Sequence, residues 1–470
     1  MPSKRLGGIA IVVHNIDSVG GMERQAMHLA ERLAARGLRV MIVTSRIEPR
    51  FRLLPRLTKP WHEWRGPIEI IRAPAFPNWT SEAVRRLIDV IVTYALLRHR
   101  KRIDAIYAVQ FTGCEYSAFA AKATGIPAVV KFACGGAPGD FQSIARREDA
   151  EQLHAALRCM ARYVIISDEI QKEAEEAGLN PALFVRIRNG VDTKRFSPAA
   201  SPATLPELSW PERKLILFVG RHDRQKRLDV LLRAFARVRD AIPEARLVSA
   251  GPAPSLEEYL SLARELGIEK EVTFLGARTD VAGLYRAASV FVLPSAAEGL
   301  PNALLEALAS GTPCVATEIP GTTDVVTHEK EALLVPVDDV DALARAIVRL
   351  LRDDGLARRL AEAGRARVMA EFDMERVADQ YFELFTKLPR IATRARWAQD
   401  ARTQLRFASA LGRKTASFLF AVGLLHARDV TTALVVGVKR FLGIEREILP
   451  RRRRAPSKPD QIAARAGAKV

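Results

Sequence analysis

The fold is decided by residues 9–44, which read IAIVVHNIDSVGGMERQAMHLAERLAARGLRVMIVT. The apolar run Ile9–Val13 predicts a buried strand, and the apolar residues that follow at helical spacing predict a helix. Gly37 stands where a helix commonly ends in a left-handed glycine, and Leu38–Thr44 predicts the next strand. A strand, a helix and a strand in so short a stretch form a βαβ unit, which implies a parallel sheet.

The same alternation continues and divides the chain into two parts. The segment Ser197–Pro211 holds four prolines and predicts a linker. A second series of strands and helices begins at Leu215. We therefore predict an α/β protein with two Rossmann-like parallel-sheet domains facing across a cleft. The first covers residues 1–192, completed by a helix at about 372–389, and the second covers 212–371. Ligands of such sheets bind at the carboxyl ends of the strands and between domains.

Composition excludes several classes of protein. The chain has 470 residues with 48% hydrophobic content, which predicts folded domains rather than intrinsic disorder. The four cysteines are scattered, so a disulfide scaffold is not expected and a reducing compartment is. Ile9–Val13 is too short for a signal peptide, and no apolar stretch has the length of a spanning helix. We expect a cytoplasmic protein.

The net charge of +18 is concentrated at the two ends of the chain. Residues 103–389 hold 35 basic and 41 acidic side chains, whereas residues 390–470 hold 18 basic and five acidic ones. Such basic segments attract anionic lipid or nucleic acid. Tryptophans interleave the basic residues of 46–102, which favours a membrane interface. The alternative is a basic protein without an anionic partner.

The tail, residues 390–470, is predicted to combine a helix with a disordered polybasic end. An interfacial helix on an anionic membrane and a helix packed on the first domain are both compatible with its pattern. Nucleic-acid binding is not expected, because no nucleic-acid-binding motif accompanies the charge.

Two loops that follow predicted strands have features typical of anion-binding sites. Gly20 and Gly21 lie at a strand-to-helix turn, where backbone amides can approach a phosphate closely; a plain tight turn is the alternative. Arg221 and Lys226 flank the loop after the strand Leu215–Val219, and two cations there suit a diphosphate leaving group. The alternative for this pair is a solvated run of charges.

A third motif, EGLPNALLE at residues 298–306, brings two carboxylates together. Pro301 fits the first turn of a helix, so Glu298 lies in the preceding loop and Glu306 on the helix. At the carboxyl end of a strand, each carboxylate can bind vicinal hydroxyls. Solvent exposure is the ordinary alternative for such a pair.

The sequence resembles the retaining glycosyltransferases of family 4 in the order of four motifs. These are Gly20-Gly21, Asn189-Gly190-Val191-Asp192, Arg221 with Lys226, and Glu298 with Glu306. The similarity runs over about residues 7–389. The resemblance implies the GT-B fold, with a nucleotide-sugar donor bound in the cleft. It implies that Arg221 and Lys226 contact the donor diphosphate, that Glu306 binds the ribose hydroxyls and that Glu298 binds the donor sugar. It also places Gly20, Gly21, Gly299, Leu300 and Asn302 in the donor site, with Gly321 and Thr322 near the donor-sugar loop.

One departure from the family concerns the strand Ala128–Phe132. Many members carry a histidine just after it, whereas this chain reads KFACGGAPGD at residues 131–140. Cys134 and Asp140 are the polar side chains nearby. Gly135 and Gly136 can instead bring backbone groups to the sugar or the acceptor. A turn or helix cap is the structural alternative for Asp140.

We therefore expect a retaining glycosyltransferase that moves a sugar from a UDP- or GDP-linked donor to a glycan or lipid-linked acceptor, at the cytosolic face of a membrane. By family analogy the reaction is a front-face attack, with Arg221, Lys226 and Glu298 as catalytic residues. No cofactor or metal is expected, because the histidines are dispersed and Asp339 with Asp341 fits a helix cap. A sugar-nucleotide epimerase of the same fold and a donor-binding pseudoenzyme are the alternatives.

Overall fold

The computed structural model describes residues 6–14, 16, 20–45, 62–73, 92–93, 95–136, 139–148, 150–198 and 214–389. The described residues form two sheets, one on each side of the linker region. The predicted α/β architecture with two Rossmann-like parallel-sheet domains is confirmed. The predicted basic tail, residues 390–470, and most of the aromatic residues of 46–102 lie outside the described ranges.

The amino-terminal sheet has the strand order β3-β4-β2-β1-β5-β6-β7-β8. Every pairing in it is parallel except that of β3 with β4. Its strands are β1 Gly8–Val13, β2 Arg39–Ser45, β3 His62–Arg65, β4 Ile68–Ala73, β5 Ala105–Ala108, β6 Ala128–Lys131, β7 Arg162–Ile165 and β8 Phe184–Arg186.

The carboxyl-terminal sheet has the order β11-β10-β9-β12-β13-β14 and is parallel throughout. Its strands are β9 Leu215–Val219, β10 Arg246–Ala250, β11 Val272–Phe274, β12 Val290–Leu293, β13 Cys314–Thr317 and β14 Leu333–Val335. This is the order 3-2-1-4-5-6 of a Rossmann sheet. The second and third strands are added on one side of the first strand, and the fourth to sixth strands on its other side. The strand order thus reverses between the first and fourth strands. Ligands of this topology bind beyond that reversal point, which here lies between β9 and β12.

Helices connect the parallel strands and cover both sheets. In the amino-terminal domain they are α1 Gly21–Ala35, α2 Cys114–Thr124, α3 Asp140–Ala145, α4 Ala150–Leu157 and α5 Asp168–Glu176. In the carboxyl-terminal domain they are α6 Leu228–Ala241, α7 Leu256–Glu265, α8 Val281–Ala287, α9 Asn302–Ala309, α10 Pro320–Thr323, α11 Val340–Arg352 and α12 Asp354–Glu371. The last described helix, α13 Met374–Thr386, returns to the amino-terminal sheet.

The ends of β1, β2, β6 and β9 lie within one residue of their predicted positions, because strands buried on both faces read as continuous apolar runs. Gly37 follows α1 with a φ of 83°, as its position predicts. The hairpin of β3 and β4 was not predicted. Its strands are rich in charge, and the fully buried Arg72 is accommodated by the Glu63 carboxylate of β3, with 2.8 Å between Nη2 and Oε1.

Helix α13 is held to the amino-terminal sheet by a buried aromatic cluster. The hydroxyls of Tyr107 on β5 and Tyr381 on α13 lie 2.8 Å apart, and both side chains are buried. Phe385 packs against both rings, with centroids 5.8 Å from each. The polypeptide thus crosses back to its first domain after completing the second.

We expect Tyr381→Phe to lower the free energy of unfolding by about 1–3 kcal/mol, because the buried Tyr107 hydroxyl loses its partner. The double variant Tyr107→Phe with Tyr381→Phe should cost less than the two single variants together, since neither hydroxyl is then left unpaired. Urea denaturation of the four proteins measures this. Additive costs would contradict the inferred hydrogen bond.

Candidate active site

The candidate site lies at the carboxyl ends of β9 and β12, at the reversal point of the carboxyl-terminal sheet. The loop after β9 carries Arg221 and Lys226, and the loop after β12 carries Glu298. Helix α9 begins at Asn302 and carries Glu306. The sheet topology therefore brings together two motifs that are some 80 residues apart in the sequence, because β9 and β12 are hydrogen-bonded neighbours.

Lys226 and Glu298 form a close ion pair, with 2.5 Å between Nζ and Oε1. The side chains are 19% and 8% exposed, so the pair is largely removed from water. The Ser295 hydroxyl donates to the same carboxylate oxygen at 2.7 Å. Asp223 caps the short helical turn Arg224–Lys226 by accepting from the Lys226 amide at 3.2 Å. The cation and the carboxylate are thereby held at one point of the cleft.

Glu306 is buried on α9, contrary to the ordinary expectation for a helical glutamate. The Tyr285 hydroxyl donates to its Oε2 at 3.0 Å, and Arg24 of α1 lies with Nη1 3.5 Å from its Oε1. Burial raises the pKa of Glu306 above its usual value, while the positive charge of Arg24 opposes that rise. A carboxylate with one oxygen bonded inside its own domain and the other at the contact between the domains suits the recognition of hydroxyl groups.

Arg221 lies apart from this group. Its side chain is 66% exposed, and its guanidinium pairs with Asp223 at 3.3 Å. The backbone beside it is tightly packed, since a Cβ on Gly251 would lie 1.8 Å from the Gly220 carbonyl oxygen. Of the two predicted cations, the structure therefore pairs Lys226 with Glu298 and leaves Arg221 in solvent.

The predicted glycines lie where the two domains meet. A Cβ on Gly299 would lie 2.1 Å from the carbonyl oxygen of Ala133, and a Cβ on Gly21 would lie 2.6 Å from the Asn302 side-chain nitrogen. Gly321 approaches the Glu298 carbonyl oxygen in the same way, at 2.4 Å. Side chains at these positions would force the loops apart. Gly20 is the N-cap residue of α1.

A polar network that was not predicted joins the domains beside these glycines. Asn189 donates to the Leu300 carbonyl at 3.3 Å and to Asn302 Oδ1 at 3.0 Å. Gln25 of α1 also donates to Asn302 Oδ1, at 3.1 Å. The buried Lys131 donates to Asn189 Oδ1 at 2.6 Å, and burial lowers the pKa of Lys131 to about 8. A lysine ending the apolar strand β6 was the sequence signal for this network.

Polar groups of the loop after β6 form hydrogen bonds within the amino-terminal domain. Asp140 is buried, and its carboxylate accepts from the amides of Ala133 at 2.6 Å and Cys134 at 3.4 Å. The amide of Gly136 donates to Glu173 Oε1 at 2.9 Å, and a Cβ on Gly135 would lie 2.7 Å from Glu169 Oε2. Burial raises the pKa of Cys134 to about 12, so its thiol is protonated at neutral pH and not a ready nucleophile.

No group of three or more His, Cys, Asp or Glu side chains within the described ranges is arranged to hold a metal ion. Among the helices described, none combines the length and the apolar character needed to cross a bilayer. Asp339 accepts from the Ala342 amide at 2.8 Å and caps α11. Of the tryptophans at 61, 64 and 79, Trp64 alone lies in a described range, and it is 57% exposed.

The chain is similar to known glycosyltransferases in both domains. Residues 19–195 match the family model described as Glycosyltransferase Family 4, and residues 213–353 match that described as Glycosyl transferases group 1. The UDP-Gal:alpha-D-GlcNAc-diphosphoundecaprenol alpha-1,3-galactosyltransferase of Escherichia coli is 26% identical over 64% of this chain and 80% of its own length. The D-inositol 3-phosphate glycosyltransferase of Kribbella flavida is 29% identical over 77% of this chain and 91% of its own.

Among solved structures, the sucrose-phosphate synthase of Thermosynechococcus elongatus superposes with a TM-score of 0.69 and 25% identity. The superposition covers 81% of this chain and 99% of that one. The family matches in both domains, together with the superposition, identify a glycosyltransferase of the GT-B fold. The chain belongs to glycosyltransferase family 4.

Asp140→Asn tests the buried carboxyl of the β6 loop. Burial raises the pKa of Asp140 to about 6, while hydrogen bonds from Ala133 and Cys134 oppose the rise. Because this pKa lies above the unfolded value, protonation of Asp140 stabilises the folded state at low pH, and that stabilisation is lost as the pH rises through about 6.

We expect the free energy of unfolding of the wild type, measured relative to the Asn variant, to fall by about 3 kcal/mol between about pH 4 and pH 7. The amide oxygen of asparagine still accepts the Ala133 amide, so the variant serves as a reference that does not titrate. Denaturant unfolding across this pH range gives the difference. A difference that rises with pH, or does not change, would contradict the shifted pKa.

Proposed function

We propose that this chain is a retaining, metal-independent glycosyltransferase. It moves a sugar from a UDP- or GDP-linked donor to a hydroxyl group of a glycan or lipid-linked acceptor in cell-surface polysaccharide or glycolipid synthesis. The observation that carries the proposal is the grouping of Lys226, Glu298 and Glu306 at the reversal point of the carboxyl-terminal sheet. This grouping offers one cation and two buried carboxylates to a ligand that carries both phosphates and hydroxyls.

The two carboxylates differ in their surroundings, and we assign them different parts of the donor. Glu306 receives the ribose hydroxyls, because Tyr285 of the same domain occupies Oε2 while Oε1 lies at the contact between the domains, 3.5 Å from Arg24. Glu298 receives the donor sugar, since it is paired with Lys226 and so adjoins the diphosphate position. Gly299, Leu300 and Asn302 line the donor between them. Arg221 is long and exposed, and it turns toward the diphosphate when the donor is bound.

In the proposed reaction the bond between the anomeric carbon and the distal phosphate oxygen breaks. The acceptor oxygen bonds to the anomeric carbon on the same face, and its proton passes to the leaving phosphate oxygen. Lys226 and Arg221 neutralise the charge that develops on the leaving group. A double displacement is disfavoured because Glu298 is bound to Lys226 and Asp140 to backbone amides, so neither of these described carboxylates is free to attack.

The acceptor is assigned to the amino-terminal domain, with Gly20, Gly21, Gly135 and Gly136 as the nearest backbone. The Escherichia coli relative is named for a UDP-galactose donor and a lipid-diphosphate acceptor, which supports the donor and acceptor classes proposed here. The Kribbella relative is named for a soluble inositol phosphate, so the acceptor is proposed only as a class. Contact with an anionic membrane is part of the proposal, with the basic segments as its basis.

Lys226→Ala should lower kcat/KM for the donor by about 10²- to 10³-fold, because a charge-neutralising group is lost from the leaving phosphate. Glu306→Ala should mainly raise the KM for the donor, since the ribose contact is made in the ground state as well. Sugar transfer from UDP- and GDP-sugars to lipid and glycan acceptor pools, followed by product analysis, measures both effects.

Lys172→Ala is the matched control for this experiment. Lys172 lies on α5 of the amino-terminal domain with its side chain 79% exposed, and it pairs with Glu176 one turn further along the same helix. It should retain full activity. Near wild-type rates for Lys226→Ala and Glu306→Ala would refute the assignment of the donor site, and tight nucleotide binding without turnover would favour the pseudoenzyme.

Transfer should continue in the presence of EDTA, because Lys226 and Arg221 supply the positive charge at the diphosphate. The rate with excess chelator should match the rate without it. Loss of activity that Mg²⁺ or Mn²⁺ restores would contradict metal independence while leaving the transferase assignment intact.

A further inference from the structure

Arg24 makes an ion pair that crosses from one domain to the other. It lies at the start of α1, where its amide donates to the Gly20 carbonyl at 3.2 Å. Its Nη1 lies 3.5 Å from Oε1 of Glu306 on α9. The Glu306 side chain is 9% exposed and that of Arg24 32%, so the carboxylate is nearly closed off from solvent while part of the arginine side chain is accessible.

The two oxygens of Glu306 have different partners. Oε2 accepts from Tyr285, a fully buried residue of the same domain, so this bond belongs to the domain core. Oε1 faces Arg24. A ribose hydroxyl that binds Glu306 at Oε1 therefore competes with the guanidinium group for the same oxygen, and one of the two must move away.

The contact with Glu306 leaves hydrogen-bond donors of the Arg24 guanidinium group without good partners. Its Nε is buried and has no hydrogen-bond partner among the described residues. A guanidinium is a planar fork of donors that matches carboxylate or phosphate in bidentate geometry, whereas here one nitrogen stands 3.5 Å from one oxygen. An unpaired buried donor destabilises this arrangement, so a partner with several acceptor oxygens would hold the side chain better.

A nucleoside diphosphate brings such a partner with it. Its phosphates are bonded to the ribose, so a ribose at Glu306 places phosphate oxygens near the start of α1. The amino end of this helix and the Gly20-Gly21 turn favour an anion, and Lys226 approaches from the carboxyl-terminal domain. An arginine released from Glu306 has acceptor oxygens within the reach of its side chain.

We propose that Arg24 is an exchangeable latch between the domains: it pairs with Glu306 in the empty site, and it turns to the donor diphosphate when the ribose takes Glu306. The inference rests on the proposed function, because it takes Glu306 as the ribose position. The exchange keeps the amino-terminal domain attached in both states. It makes recognition of the diphosphate depend on both domains.

Arg24→Gln, Arg24→Lys and wild type are compared in the full-length protein by calorimetric titration with UDP, GDP, uridine and guanosine. Arg233→Gln, at an exposed position of α6, controls for the loss of one positive charge. For the nucleotide that the wild type binds, we expect Arg24→Gln to weaken diphosphate binding at least tenfold. The matching nucleoside should bind equally well or a few-fold more tightly, since its competitor at Glu306 is gone. Arg24→Lys should lie between, and Arg233→Gln should equal wild type.

The nucleoside distinguishes the latch from a structural role. Equal weakening of diphosphate and nucleoside would overturn the latch, because a distorted site affects both, and unchanged binding of both would overturn it too. If the wild type binds neither diphosphate, the proposed function fails and the latch with it. If the wild type binds one of them and Arg24→Gln binds it equally, the latch fails alone.

Discussion

The ion pair between Lys226 and Glu298, with 2.5 Å between Nζ and Oε1, organises the loops of the carboxyl-terminal domain. Either charge alone, so far removed from water, would be costly, whereas the pair with an added hydrogen bond from Ser295 is tolerated. The pair requires β9 and β12 to be neighbours. That adjacency exists because β10 and β11 lie on one side of β9 and the chain then returns to the other side.

The contact between the domains at the site is set by backbone rather than by large side chains. Between the domains, Gly299 lies against Ala133 and Gly21 lies against Asn302; within the carboxyl-terminal domain, Gly321 lies against the loop that carries Glu298. A Cβ at any of the three would overlap its neighbour. The loops can therefore approach closely enough for short polar side chains to join them, which explains why the hydrogen bonds of Asn189 span the interface.

Polar contacts at the site add to the apolar packing between the domains. A buried apolar cluster includes Phe132 of the first domain and Leu300 of the second. At the site itself, Gln25, Asn189 and Arg24 join the domains by hydrogen bonds and an ion pair. Polar interfaces between domains are adjusted more readily than apolar cores. A ligand that carries both phosphates and hydroxyls can replace such contacts with equivalent ones of its own, so the domain contact and the proposed donor site are physically one region.

The sequence by itself determined the two α/β domains and the loops that carry the site, because buried parallel strands read as apolar runs and Gly and Pro mark the turns. It also placed Glu298 in a loop and Glu306 on a helix, since Pro301 and Gly311 mark the ends of that helix. Only the tertiary structure decided that Lys226 meets Glu298 while Arg221 faces solvent, and that Arg24 reaches Glu306. These pairs come from distant parts of the chain, and their distances depend on strand order and domain contact, which no local pattern encodes.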